Sequence, residues 1–321
     1  MSTGTPIRWG LLGTARINTK LMTGARLSEN AEVVAVASRS ADNARKYAEA
    51  NGIPTSHGSY EGLLADPEVD AVYISLPNVL HHHWTMIALA AGKHVLCEKP
   101  YTRHSEQVDM AWDAAEAGGL VVQEAFMWRH TPQAARLVEL LPRIGEVVAV
   151  QASFSHRLGD DADIRVNAAL EGGSLMDVGC YCVSGARLIA GEEPEVVYGQ
   201  QVTTADGVDR RFSGLLRFPS GLTATFHSGF DSFNESLEVI GRNGTIRLPD
   251  PWHSLSGVLV VDGEEQRVEA INPYQCELDD MAAAIRGERL PRLGRADAVG
   301  QSLVIEALYR SADEGVPVRL G

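Results

Sequence analysis

From residue 7 to residue 126 the chain alternates short apolar runs with segments whose apolar residues recur every three or four positions. The runs are "IRWGLLG" (7–13), "EVVAVASR" (32–39), "DAVYISLP" (70–77), "HVLCE" (94–98) and "LVVQEAF" (120–126). Their shortness and near-continuous hydrophobicity predict strands covered on both faces. Between them, "ARINTKLMTGARLSE" (15–29), "ADNARKYAEANG" (41–52), "HHWTMIALAAG" (82–92) and "SEQVDMAWDAAEAGG" (105–119) carry helical spacing, and Gly52 and Gly92 stand where a helix would stop. Strand and helix in alternation, joined by right-handed crossovers, give an α/β unit with a doubly wound parallel sheet.

After about residue 125 the pattern changes. "GEVVAVQASFSHRL" (145–158) predicts a long strand and "GGSLMDVGCYCVSGARLIAG" (172–191) a helix, with Ser174 as its N-cap. From 194 to 270, "EVVYGQQVTT", "RRFSGLLRF", "GLTATFHSGF", "SLEVIG" and "GTIRL" are separated by turns such as Pro219-Ser220-Gly221 and Asn243-Gly244. These predict a large, mostly antiparallel sheet. Two helices, near 275–286 and 295–314, close the chain and are expected to return to the first domain. The fold class is therefore α/β followed by α+β, with domains 1–124 and 125–321.

Charge narrows the partners. Asp and Glu total 42 against 28 Lys and Arg, a formal net charge of -14. Such a surface repels phosphate backbones and anionic lipid, so neither nucleic acid nor membrane is expected. No apolar stretch is long enough to span a bilayer, and "MSTGTPIRWG" predicts no secretory signal. The four cysteines, at 97, 180, 182 and 276, lack disulfide-framework or zinc spacing. Reduced thiols and a cytoplasmic location are expected.

Candidate chemistry begins at the first strand-to-helix turn. Of the glycine pattern G-x-G-x-x-G, Gly13-Thr14-Ala15-Arg16-Ile17-Asn18 keeps only the first glycine. A plain turn would read the same way, but its place in a βαβ unit suits a dinucleotide pyrophosphate resting on helix N–H groups. At the end of the second strand stand Ser38 and Arg39, where a carboxylate would favour NAD. A cation there pairs with a 2′-phosphate, so NADP is expected ahead of NAD. Leu76, Pro77 and Asn78 end the next strand, and His81 is placed to reach a ribose. His81, His82 and His83 project about 100° apart on a helix and cannot converge on one ion; no metal is expected.

"HVLCEKP" ends a strand in Glu98 and Lys99, with Pro100 fixing the local backbone. A surface ion pair is the alternative, yet the position is the ligand-binding edge of the sheet. In "GGSLMDVGCY", Asp177 and Tyr181 are four apart and share a helix face. An exposed Asp near a helix start, with Tyr181 in the core, would give the same spacing.

"GTARIN", "SLPNVLHHHW", "GKHVLCEKP", "EAFMWRHTPQ" and "GGSLMDVGCYCV" together resemble the Gfo/Idh/MocA oxidoreductases, nearest the branch of NADP-dependent D-xylose dehydrogenases and dimeric dihydrodiol dehydrogenases. Many inositol-dehydrogenase relatives have His where this chain has Tyr181, which turns the expectation away from inositol. The resemblance implies a dinucleotide-binding Rossmann domain at 1–124 and a domain for substrate binding and oligomerisation at 125–321. It implies hydride transfer at a sugar or cyclic polyol carbon, with Lys99, Tyr181 and Asp177 catalytic. Cofactor contacts would come from Gly13, Thr14, Ala15, Arg16, Ile17, Ser38, Arg39, Leu76, Pro77, Asn78, His81, Glu98, Lys99 and Arg129. Substrate contacts would come from Trp128, Arg129, Phe154, Arg157, Arg165, Asn167, Asp177, Tyr181 and Tyr274. A homodimer or homotetramer is expected. Alternatives are a keto-sugar reductase, a dihydrodiol dehydrogenase and a non-catalytic NADP-binding regulator.

Overall fold

The computed structural model describes residues 4–159 and 163–321. The chain forms two compact units. The first comprises Met1–Thr102, Glu106–Met127 and Asn272–Ala298; the second comprises Arg103–Ser105, Trp128–Ile271 and Val299–Gly321.

The first unit is built on six strands: β1 (Ile7–Leu12), β2 (Ala31–Ala37), β3 (Thr55–His57), β4 (Ala71–Ile74), β5 (His94–Glu98) and β6 (Val122–Ala125). They lie in the order β3-β2-β1-β4-β5-β6, all parallel. Helices α1 (Asn18–Leu27), α2 (Ala41–Asn51), α3 (Tyr60–Leu64), α4 (His81–Ala90) and α5 (Ser105–Gly118) supply the crossovers. β4 and β6 are buried along their whole length, as continuous apolar runs require. β3 is the strand that hydrophobicity does not announce: three polar residues at an edge. The strand order reverses between β1 and β4, so the ligand crevice of such a sheet lies at their carboxyl ends.

The second unit carries α6 (Pro132–Leu140), β7 (Val147–Ser155), α7 (Cys180–Ala190), β8 (Val196–Thr203), β9 (Asp209–Arg217), β10 (Thr223–Gly229), β11 (Asn234–Gly241), β12 (Thr245–Leu248), β13 (Val258–Val261) and β14 (Glu264–Arg267). With β15 (Val318–Arg319), nine strands form one sheet in the order β14-β13-β12-β11-β7-β10-β9-β8-β15. Every pairing is antiparallel except β7 with β10, which is parallel. On β9 buried and outward residues alternate along the strand, the mark of a sheet covered on one face.

Two helices finish the chain, α8 (Pro273–Ile285) and α9 (Arg295–Glu314). α8 lies beyond the 124/125 boundary drawn from sequence, yet it belongs to the first unit. There it packs against α1 so closely that a Cβ on Gly24 would come within 2.6 Å of Gln275 N. Asp279 Oδ1 accepts from Ser28 Oγ at 2.5 Å and from Asn30 Nδ2 at 2.8 Å, and Arg286 donates to Asn30 Oδ1 at 2.9 Å. None of the helices among the described residues is long and apolar enough to cross a membrane.

Candidate functional site

In the first unit the turn after β1 is shaped for an anion. Gly13 has φ +106°, a left-handed conformation, and a Cβ there would sit 3.0 Å from Leu76. Asn18 is fully buried and donates from Nδ2 to Gly13 O at 2.9 Å. That bond explains the polar residue where the usual motif has a packing glycine: Asn18 ties the helix start to the turn. No side chain caps α1, while Thr14 and Arg16 are exposed and Ala15 and Ile17 half-buried. The backbone turn 13–17, with no side chain capping the helix it enters, fits a pyrophosphate.

At the end of β2, Ser38 is half-buried and Arg39 exposed. Ser40 caps α2, accepting from Asn43 N, so Arg39 projects from a braced corner. Leu76, Pro77 and Asn78 are half-buried at the end of β4. His81 differs from expectation. It is buried, with Nδ1 3.0 Å from Pro100 O and Nε2 2.8 Å from Leu76 O. Both ring nitrogens face carbonyl oxygens, so the imidazole clasps the β4 turn to Pro100 and has no nitrogen left for a ribose. Burial pushes its pKa down despite those carbonyls. His82 is half-buried, with Nδ1 2.9 Å from the Tyr101 hydroxyl.

Glu98 and Lys99 are both half-buried at the end of β5, and the Lys99–Pro100 bond is cis. Tyr73 donates its hydroxyl to Glu98 Oε1, and the Lys99 N–H lies 3.2 Å from Glu98 Oε2. The strand therefore ends in a carboxylate held by the preceding strand, with the ammonium-bearing residue next in line. Tyr274 is buried at the start of α8, where Asn272 Oδ1 accepts the Tyr274 and Gln275 N–H groups at 3.0 and 3.2 Å. Glu277, one helical turn on, is completely buried and neither carboxyl oxygen has a hydrogen-bond partner. Burial, then the charges of Glu98 and Asp280, pushes its pKa well up.

In the second unit Asp177 lies in a π-helical turn, Leu175–Gly179, that runs into α7. Asp177 Oδ2 accepts from Arg165 Nε at 3.0 Å and lies 2.9 Å from His156 Nε2. Arg165 also reaches Asp163 Oδ1 at 3.1 Å. Tyr181, one turn beyond Asp177, is buried against Phe154, edge to face at 5.3 Å between ring centroids, and against Trp252 at 6.1 Å. Trp252 in turn meets Trp128 at 5.3 Å and stacks on Phe154 at 6.3 Å. Four aromatic rings thus surround one another, and the Trp128 indole N–H is buried without a partner. The Arg129 guanidinium donates to Ser184 Oγ at 3.0 Å.

Of the expected substrate residues in this unit, Trp128, Phe154 and Tyr181 come together, and Arg165 joins Asp177. Arg157 is exposed, and Asn167 caps a short turn by accepting from Ala169 N. Ser174 is not the helix cap its sequence position suggested: it has helical dihedrals and no capping bond. Sequence reasoning passed over His156 and Trp252. His156 could have been found, since it follows Phe154 by two and so shares its face of the strand; Trp252 lies in a loop just after Pro249 and Pro251 that carries no such signal.

One further group among the described residues brings His and carboxylate ligand atoms within 4.8 Å of each other: Glu235, Asp250 and His253. Its members are already engaged. Glu235 accepts the Trp252 N–H and faces His253 Nδ1, both at 3.0 Å, while Asp250 accepts the Leu255 and Ser256 N–H groups at 2.7 and 3.0 Å. The trio braces the loop that carries Trp252.

Two family models cover these parts. One, described as an oxidoreductase family with an NAD-binding Rossmann fold, matches residues 7–126. The other, the GFO/IDH/MocA C-terminal domain, matches residues 135–247. The chain is 40% identical to D-xylose 1-dehydrogenase (NADP(+)) 2 of Haloferax volcanii over 97% of its own length and 99% of that protein's. It belongs to the Gfo/Idh/MocA oxidoreductases.

Solved structures superpose over nearly the whole chain. The aldose-aldose oxidoreductase of Caulobacter crescentus, complexed with glycerol, gives a TM-score of 0.89 at 30% identity, covering 98% of this chain and 100% of the other. A 3-ketoreductase of Actinomadura kijaniata, in complex with NADP and TDP-benzene, gives 0.89 at 30% identity, covering 95% and 98%. In this Gfo/Idh/MocA chain the first family model contains the Gly13 turn and Lys99, and the second contains Asp177 and Tyr181.

Proposed function

We propose that this oxidoreductase moves a hydride between NADP and a hydroxyl-bearing carbon of a pyranose sugar or cyclic polyol, of D-xylose or D-glucose type. The observation that carries it is the 40% identity, sustained from end to end, with an NADP-dependent D-xylose dehydrogenase. The residues fit the cofactor. The turn leading into α1, which no side chain caps, suits the pyrophosphate, and the exposed Arg39, standing where an NAD binder usually has a carboxylate, suits a 2′-phosphate.

NADP, when bound, supplies the hydride acceptor and donor. Tyr181 takes the proton of the sugar hydroxyl or returns it. A phenol with an ordinary pKa near 10 needs help to act as a base at neutral pH; Lys99 is the second residue to which we give a role in the proton transfer. Asp177, braced by Arg165 and His156, orients sugar hydroxyls. The aromatic group around Trp252 packs behind Tyr181 and fixes the direction of its ring.

A second reading, reduction of a keto-sugar by the same residues in the opposite direction, is favoured by the likeness to the NADP-bound 3-ketoreductase. A homodimer or homotetramer assembled through the nine-stranded sheet is consistent with its outward residues. Buried thiols at Cys97, Cys180 and Cys182 suit a reducing, cytoplasmic setting.

The test follows reduced nicotinamide by absorbance, with NADP or NAD and a panel of aldopyranoses and cyclic polyols, and in reverse with keto-sugars. Turnover of a pyranose with NADP preferred supports the proposal, and turnover of keto-sugars alone supports the second reading. Tight NADP binding with no turnover on any substrate would mark a regulator and overturn both.

A further inference from the structure

Asp209 opens β9 and is almost completely buried, and its side chain reaches out of its own sheet to α9 and to the turn ahead of α7. Its Oδ1 accepts the Tyr309 hydroxyl of α9 at 2.7 Å. Its Oδ2 accepts the Ser174 hydroxyl at 2.9 Å and the Leu175 N–H at 2.7 Å. Ser174 Oγ lies 3.1 Å from Ser228 Oγ of β10, and the Arg103 guanidinium lies 4.3 Å from the Tyr309 ring centroid. Gly173 makes room for this junction: with φ +134° and a Cβ that would fall 2.1 Å from Asp209 Oδ1, no other residue fits.

Leu175 is the first residue of the π turn, Asp177 the third, and Tyr181 follows in α7. A π turn is rare and leaves the N–H groups at its start without intrahelical partners. No local side chain caps this one; the acceptor comes from a strand 34 residues away. A carboxylate on helix N–H groups is a strong bond and suits the helix dipole.

We propose that Asp209 is a positioning residue for the reaction: its carboxylate pins the start of the π turn and so sets the rotation at which Asp177 and Tyr181 are presented. This rests on the catalytic roles given above to those two residues. The titratable and charged groups that face Asp209 are Tyr309 on α9, Arg103 over that ring, and Cys180 of α7, which acts on Tyr309. Burial pushes the Asp209 carboxyl up to about 6, against the pull of its hydrogen bonds from Leu175, Tyr309 and Ser174. Below that pH it takes a proton and its three-bond acceptor role weakens.

The test compares Asp209→Asn, Asp209→Ala and Tyr309→Phe. The amide has the shape of the acid, can accept from Leu175 and donate to Tyr309, and cannot ionise. Asp209→Ala should lower kcat by about tenfold to a hundredfold, the size of a small misplacement, with NADP affinity by fluorescence titration unchanged. Asp209→Asn should restore most of kcat at neutral pH and lack the acid limb that the wild-type kcat profile is expected to show near pH 6. Should the alanine variant fail to fold, Tyr309→Phe carries the test. Removing that donor should move the acid limb to higher pH. Hydrogen exchange gives a readout apart from turnover: Leu175 amide protection falls in Asp209→Ala and holds in Asp209→Asn. An unmoved limb in both Asp209→Asn and Tyr309→Phe, or unchanged kcat and Leu175 protection in folded Asp209→Ala, overturns the inference. Full turnover in Tyr181→Phe would instead overturn the function on which it rests.

Discussion

Arg165 Nε donates to Asp177 Oδ2 at 3.0 Å, an ion pair that joins a short irregular segment to the π turn ahead of α7. The Asp177 charge is the main cause holding the Arg165 pKa above its ordinary value. Replacing Arg165 by Met leaves His156 as the partner of that oxygen in this network. We expect KM for the sugar to rise by about tenfold and kcat to fall less, because orientation rather than proton transfer is affected. Steady-state kinetics decide; an unchanged KM would show that Asp177 needs no such brace.

Lys99→Met and Tyr181→Phe should each lower turnover by roughly a hundredfold to ten-thousandfold, the range of general acid–base catalysis. NADP affinity should change far less. Single-turnover kinetics with a substrate found in the sugar panel would measure it, and near-normal rates in both variants would rule out the proposed proton transfer.

Arg39→Asp places a carboxylate at the corner after β2. It should repel a 2′-phosphate and accept the ribose hydroxyls of NAD, so the ratio of kcat/KM for NADP over NAD should drop by about a hundredfold or more. A ratio that stays put would assign the NADP preference to other residues.

Glu277 has a raised pKa in the folded protein, caused first by burial, so the fold favours its neutral form. In the unfolded chain it ionises above its ordinary value of 4.5. Its contribution to stability is therefore greatest below that value and is lost as pH rises, by at most about 1.4 kcal/mol per pH unit for one proton. Glu277→Gln removes this dependence. Urea unfolding at about pH 5 and pH 8 should show the variant gaining on wild type at the higher pH; parallel stabilities would mean that Glu277 is ionised in the fold.

The alternating first half was legible because each of its signals is local. The apolar runs 7–13, 70–77 and 94–98 became β1, β4 and β5, and Gly13 marked the turn. β3 was hidden because an edge strand of three polar residues has no apolar face to show. β14, four polar residues at the edge of the second sheet, was hidden in the same way; β13, the apolar run Val258–Val261, was passed over although its hydrophobicity announces it. Lys99 and the Asp177–Tyr181 pair stood out by spacing. Their surroundings did not: His81 looked available for a ribose, and only the folded chain set Pro100 O and Leu76 O against its two nitrogens.

What the sequence determined alone is the set of elements and the residue types at their ends, since hydrophobic period and turn chemistry act over a few neighbours. What the tertiary structure decided is which distant partners those ends meet. The parallel pairing of β7 with β10, the return of α8 to α1, the two donors on Asp177 and the hold of Asp209 on Leu175 all join residues remote in the chain. Burial makes such bonds obligatory, because a polar group taken from water must find a partner; which partner it finds is set by sheet register and helix packing, which no local pattern encodes.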